Sequence, residues 1–144
     1  MNPRSREFNM AEWEHRLARI IKQRFHTSFM SDSKWRRFFT LLAQPELHIT
    51  QGIWKFIDSE ETIRFPFPES TEIEGGCFLE PAGSSPFKRI EWVEIADKVI
   101  PFGWEDVPAK HKTQDTVTLQ KRLNEEGLFE IEHTSTGLRI YGYR

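Results

Sequence analysis

The sequence has one cysteine, Cys77, so it can form neither an intrachain disulfide nor a cysteine-rich zinc site. It has no run of the roughly 18 apolar residues that a transmembrane helix needs. Its first 25 residues lack the apolar core of a secretory signal, and Glu7, Glu12 and Glu14 are foreign to a transit peptide. Phosphate-cradling glycine motifs are missing, and so is the G-x-S-x-G turn that presents a nucleophilic serine. The five histidines, at positions 15, 26, 48, 111 and 133, show no metal-binding spacing. No metal site, cofactor or catalytic residue is therefore expected. Cys77 follows Gly75-Gly76, but a thiol nucleophile needs a base, and no histidine stands at a supporting spacing.

Aromatic residues are plentiful, with 12 Phe and 5 Trp but only 2 Tyr in 144 residues. The net charge of -2 hides an asymmetry. Residues 1–29 carry six basic and three acidic side chains, a net of +3, which leaves 14 basic and 19 acidic in the remainder, a net of -5. The second part opens at Met30 with Met-Ser-Asp-Ser-Lys-Trp, the form of a chain start followed by a helix cap. This predicts a basic amphipathic helical extension over 1–29 and a single domain over 30–144.

Asn9 and Glu12 form a capping pair, and Trp13, Leu17, Ile20, Ile21 and Phe25 recur at helical spacing, which predicts a helix over 10–28. Such a basic helix can pack on its own domain, in a partner's groove or on a membrane surface. Trp35, Phe38, Phe39 and Leu42 mark a second helix, capped by Asp32 or Ser33 and ended by Pro45. From residue 52 the period falls to two. A four-residue turn after Ile57 sets Phe56 opposite Ile63 and Trp54 opposite Phe65 on one face. It also sets Lys55 opposite Arg64 on the other face, a like-charged pair that needs an acid or an anion between them. Pro66 makes the second strand an edge. Residues 88–95, apolar on both faces, read as a central strand. A third helix over 116–126, capped by Asp115 or Thr116 and closed by Gly127, precedes a second hairpin. There Ile131 faces Ile140 and Glu132 faces Arg139. The expected fold is α+β, with a mostly antiparallel sheet of about five to six strands built from hairpins and packed by two to three helices.

Helix 116–126 and its hairpin resemble the end of a winged-helix domain. Glu125, Glu126, Glu130 and Glu132 would repel phosphate there, so nucleic acid is not the favoured partner. The most suggestive functional feature is the proline-bounded loop Gly103-Trp104-Glu105-Asp106, an aromatic flanked by acids. Trp104 can anchor a partner, with Glu105, Asp106, Glu60 and Glu61 as an acidic rim that steers a basic protein surface. Lys55 and Arg64 are the anion-binding candidates.

Three segments carry a resemblance: Ser31-Asp32-Ser33-Lys34-Trp35, Ile90-Glu91-Trp92-Val93-Glu94-Ile95 and Gly137-Leu138-Arg139-Ile140-Tyr141-Gly142-Tyr143. They resemble segments of small bacterial single-domain proteins of unknown function, over about residues 31–144. In size and acidic character the chain is also similar to immunity proteins, which neutralise toxins. The net of -5 over residues 30–144, the aromatic excess and the lack of a catalytic motif predict a non-enzymatic, cytoplasmic protein-binding module, which the likeness to immunity proteins would make toxin-neutralising. The competing expectation is a small enzyme or ligand-binding protein with a pocket between sheet and helices.

Overall fold

The computed structural model describes residues 9–68, 73, 77–80, 83–101, 106–107 and 111–144. Trp104 and Glu105 lie outside these residues, and so do the side chains of Cys77 and its strand neighbours.

Three α-helices are formed among the described residues, each where a polar side chain caps the first turn. Asn9 accepts from the Glu12 amide ahead of α1 (Met10–Arg24), and Ser31 accepts from the Lys34 amide ahead of α2 (Asp32–Leu42). Asp115 accepts from the Thr118 amide ahead of α3 (Thr116–Glu126). The expected helix over 10–28 stops at Arg24. Phe25 is extended, and the amides of His26 and Thr27 pair with the Arg144 carbonyl, so the chain leaves helical geometry to meet the C-terminus. Gly127, at φ 155°, closes α3 in a conformation that few other residues adopt.

The strands are β1 (Gln51–Phe56), β2 (Thr62–Pro66), β3 (Cys77–Glu80), β4 (Gly83–Pro86), β5 (Ile90–Ala96), β6 (Lys98–Val99), β7 (Lys112–Thr113), β8 (Ile131–His133) and β9 (Gly137–Tyr141). Five of them form one sheet in the order β2-β1-β5-β9-β8, and β3-β4 and β6-β7 are separate two-stranded ribbons. Every pairing among the described strands is antiparallel. The fold is thus α+β. Pro66 is on the edge strand and β5 is central, as their sequences suggest. The central strand begins at Ile90 rather than Lys88, because Phe87–Arg89 forms a 3-10 turn.

One sheet face is buried under α2 and α3. Trp35 stacks on Phe39 (5.5 Å, 17°), and Phe39 stacks on Trp54 (5.6 Å, 18°). Leu119 and Leu123 of α3 join Val93, Ile95, Leu138 and Ile140 in the same core. This helix-on-sheet interior absorbs most of the aromatic excess. A smaller cluster joins Leu17 of α1 to Ile57 and Tyr143, with Trp13, Ile20, Ile21 and Phe25 around it. No helix among the described residues is long and apolar enough to cross a membrane.

Candidate binding surface

The first hairpin corrects the predicted register. Trp54 faces Ile63 and Lys55 faces Thr62, while Arg64 faces Ile53. The like-charged Lys55/Arg64 pairing is therefore absent. The shift is by two residues, so each side chain keeps its face. Its cause is a longer turn. Ile57 leaves the strand, donates its amide to the Arg89 carbonyl at 2.9 Å and enters the α1 cluster.

Lys55 staples that turn. Its Nζ donates to the Phe56 carbonyl at 2.9 Å and to the Ser59 carbonyl. It also meets Glu91 Oε1 at 3.1 Å, with both side chains mostly buried. Glu91 reaches it through a β-bulge. Lys55 pairs with Trp92 and Phe56 with Ile90, so Glu91 is the extra residue between them. The Glu91 carbonyl in turn takes the Gly142 amide at 2.7 Å. On the turn's other side, Asp58 accepts from Arg89 Nε at 2.8 Å and from Trp13 Nε1 at 3.3 Å. Arg24 donates to the Ile57 carbonyl at 2.8 Å. Glu60 and Glu61 thus stand exposed on a turn held from both sides.

Of the remaining predicted residues, Asp106 and Arg64 are among those described. Asp106 is exposed beside Val107. Arg64 is at the middle of β2, on the sheet face away from the helices. Across that face, cross-strand pairing sets Arg64, Ile53, Glu94, Arg139 and Glu132 in one row. Opposite charges in such a row attract. Arg139 donates to Glu94 Oε1 from Nε (3.1 Å) and Nη2 (3.0 Å), and Thr136 donates to Oε2 at 3.2 Å. The Arg139 guanidinium lies 3.8 Å from the Trp92 ring centre. Burial alone would lower the Arg139 pKa, but hydrogen bonds to Tyr141 and Glu94 raise it above its ordinary value. Tyr141 donates to Glu132 at 3.1 Å, beneath the Arg144 guanidinium.

Three features had no signal in the sequence. The bulge at Glu91 depends on the register of three strands. Gln114, 1% exposed, accepts from the amides of Thr50 and Gln51 and donates to the Ala96 carbonyl, tying the β6-β7 ribbon to the sheet. Lys98 and Val99 of that ribbon, with Ile100 after them, line a cavity of about 210 Å³ together with Gln51, Gly52, Ile53, Arg64, Glu94 and Ala96. The cavity lies on the sheet face away from α2 and α3, not between sheet and helices. No group of three or more His, Cys, Asp or Glu converges among the described residues in a way that could hold a metal.

No curated protein and no solved structure matches this chain. Residues 17–144, from the second turn of α1 to the C-terminus, match a family of unknown function, DUF6678. The chain belongs to that family, a small single-domain protein family of unknown function.

Proposed function

We propose that this protein is a non-enzymatic, cytoplasmic protein-binding module of the bacterial toxin-neutralising kind, and that it meets a basic partner through the acidic β1-β2 turn. The observation that carries this reading is the set of contacts that hold the turn. Lys55, Glu91, Arg89, Trp13 and Arg24 hold residues 57–59, while Glu60 and Glu61 beside them are left to solvent. A loop ordered before binding avoids much of the entropy cost of association. Two presented carboxylates speed encounter with a cationic surface and disfavour an anionic one. The net charge of -5 over residues 30–144 acts in the same direction at longer range. Trp104 with Glu105 and Asp106 is proposed as a second contact, its aromatic ring supplying the buried area that charges lack.

The test uses the full chain as bait in extract of its native host. A partner recovered at stoichiometric level, with a basic contact face, and lost on combining Glu60→Lys with Glu61→Lys supports the proposal. Recovery of no stoichiometric partner, or of one indifferent to the charge reversal, overturns it. Trp104→Ala is expected to weaken the same complex by about 1–2 kcal/mol or more, read by calorimetry.

A further inference from the structure

The cavity beside the β6-β7 ribbon is lined mostly by apolar groups, from Gly52, Ile53, Ala96, Val99 and Ile100. The charged side chains in its lining are already committed. Glu94 has both oxygens engaged, one by Arg139 and the other by Thr136. Arg64 is engaged as well, its Nη1 donating to the Ile100 carbonyl at 3.3 Å. Lys98 is exposed, where water solvates its charge. No charge in the lining therefore calls for a counter-ion.

Gln51 is the group left incomplete. It shares the Ile53 face of β1, the face on which the cavity lies, and it is 2% exposed. Its Nε2 donates to the Ile100 carbonyl at 3.1 Å. Its Oε1 is buried with no hydrogen-bond partner among the described residues. Exchanging the amide's oxygen and nitrogen would set oxygen against the Ile100 carbonyl, so a flip does not repair it. A buried acceptor without a donor destabilises the fold, and such groups in native proteins call for an explanation.

We infer that this cavity binds a small, uncharged, apolar molecule that carries one N–H or O–H donor, with Gln51 Oε1 accepting the hydrogen bond. The missing partner is a donor, which excludes a carboxylate or another bare anion. A cationic donor would stand in the same lining as Arg64 and Lys98 and would lose its hydration among apolar groups. A neutral donor meets neither cost, and its apolar body takes the lining out of water. An apolar cavity of about 150 Å³ accepts benzene, so one of about 210 Å³ has room for a compact bicycle such as indole.

Indole, an apolar bicycle with one N–H donor, is titrated into the isotopically labelled full chain and followed by amide NMR. Benzofuran, the same bicycle with a ring oxygen in place of the N–H, is titrated in parallel. Indole is expected to give saturable shifts centred on Gly52, Ile53, Val99 and Ile100. Benzofuran is expected to bind roughly tenfold or more weaker, because it leaves Oε1 without a donor. Benzylammonium is expected to leave these amides unmoved. Gln51→Leu removes the acceptor and is expected to erase the preference for indole. Ala96→Leu adds bulk to the cavity, keeps Gln51 and is expected to abolish indole binding, with folding checked by the rest of the spectrum. The wild-type comparison and Ala96→Leu decide the matter even where Gln51→Leu does not fold. Absence of indole shifts at millimolar concentration overturns the inference. So does benzofuran or benzylammonium bound as tightly as indole, a preference for indole that persists in folded Gln51→Leu protein, or indole binding unchanged by Ala96→Leu.

Discussion

Replacing Lys55 with methionine removes the staple of the candidate turn while keeping its aliphatic stem. Lys55 and Glu91 leave only 13% and 17% of their side chains to solvent. Breaking a fully buried ion pair by deleting one partner costs about 3–5 kcal/mol, most of it from the charge left behind. The strip of solvent that each partner retains reduces this to about 2–4 kcal/mol for Lys55→Met. Adding Glu91→Met removes the orphaned carboxylate, so the double variant is expected to recover roughly half of the loss. The part not recovered is the donor lost by the Phe56 and Ser59 carbonyls. Urea denaturation reads both quantities, with an unchanged m-value showing that the unfolded state is unaltered. A Lys55→Met protein within about 0.5 kcal/mol of wild type would refute the reasoning. So would a double variant less stable than the single one, because the pair would then not be what Lys55 is needed for.

Three further outcomes follow from the packing and titration. Gly142→Ala is expected to cost about 1–3 kcal/mol or more, since the new Cβ would lie 2.4 Å from the Ile90 carbonyl oxygen at the bulge, and thermal denaturation checks it. Leu17→Ala is expected to cost about 2–4 kcal/mol in urea if α1 is an integral support of the turn, because Leu17 is fully buried against Ile57 and Tyr143. Tyr143 is pushed up to about 12, first by burial and then by the Asp32 carboxylate, so its neutral form favours folding. Its contribution is intact below pH 10, the ordinary tyrosine value, and is lost as pH rises toward 12. In Tyr141→Phe protein, phenolate absorbance is expected to appear near that upper value, and ionisation near pH 10 would contradict it.

The parts of the fold that were legible in the sequence are those set by local periodicity. The α2 stripe of Trp35, Phe38, Phe39 and Leu42 faces the core as its spacing requires. The second hairpin has the predicted register because its short turn leaves little choice, with Glu132 against Arg139 rewarding it. The first hairpin was legible in face but not in register. Its turn is extended by contacts from α1, from Arg89 and from the bulge at Glu91, all distant in sequence. The same distance hid the true neighbour of Lys55. The cavity was illegible for a related reason, since its lining depends on Gln114 tying the β6-β7 ribbon to the sheet. Glu60 and Glu61 were recognisable as turn acids from composition, but nothing local indicated that their turn is held by contacts from both sides.

The acidic turn is proposed to steer a basic protein partner. Association rates of the purified complex, measured by stopped flow across a range of ionic strength, test it most directly. With the wild-type chain the rate is expected to fall steeply as salt rises. Combining Glu60→Lys with Glu61→Lys is expected to slow association roughly tenfold or more at low salt and to flatten the salt dependence. A rate and a salt slope that are both unchanged by the charge reversal would contradict the account.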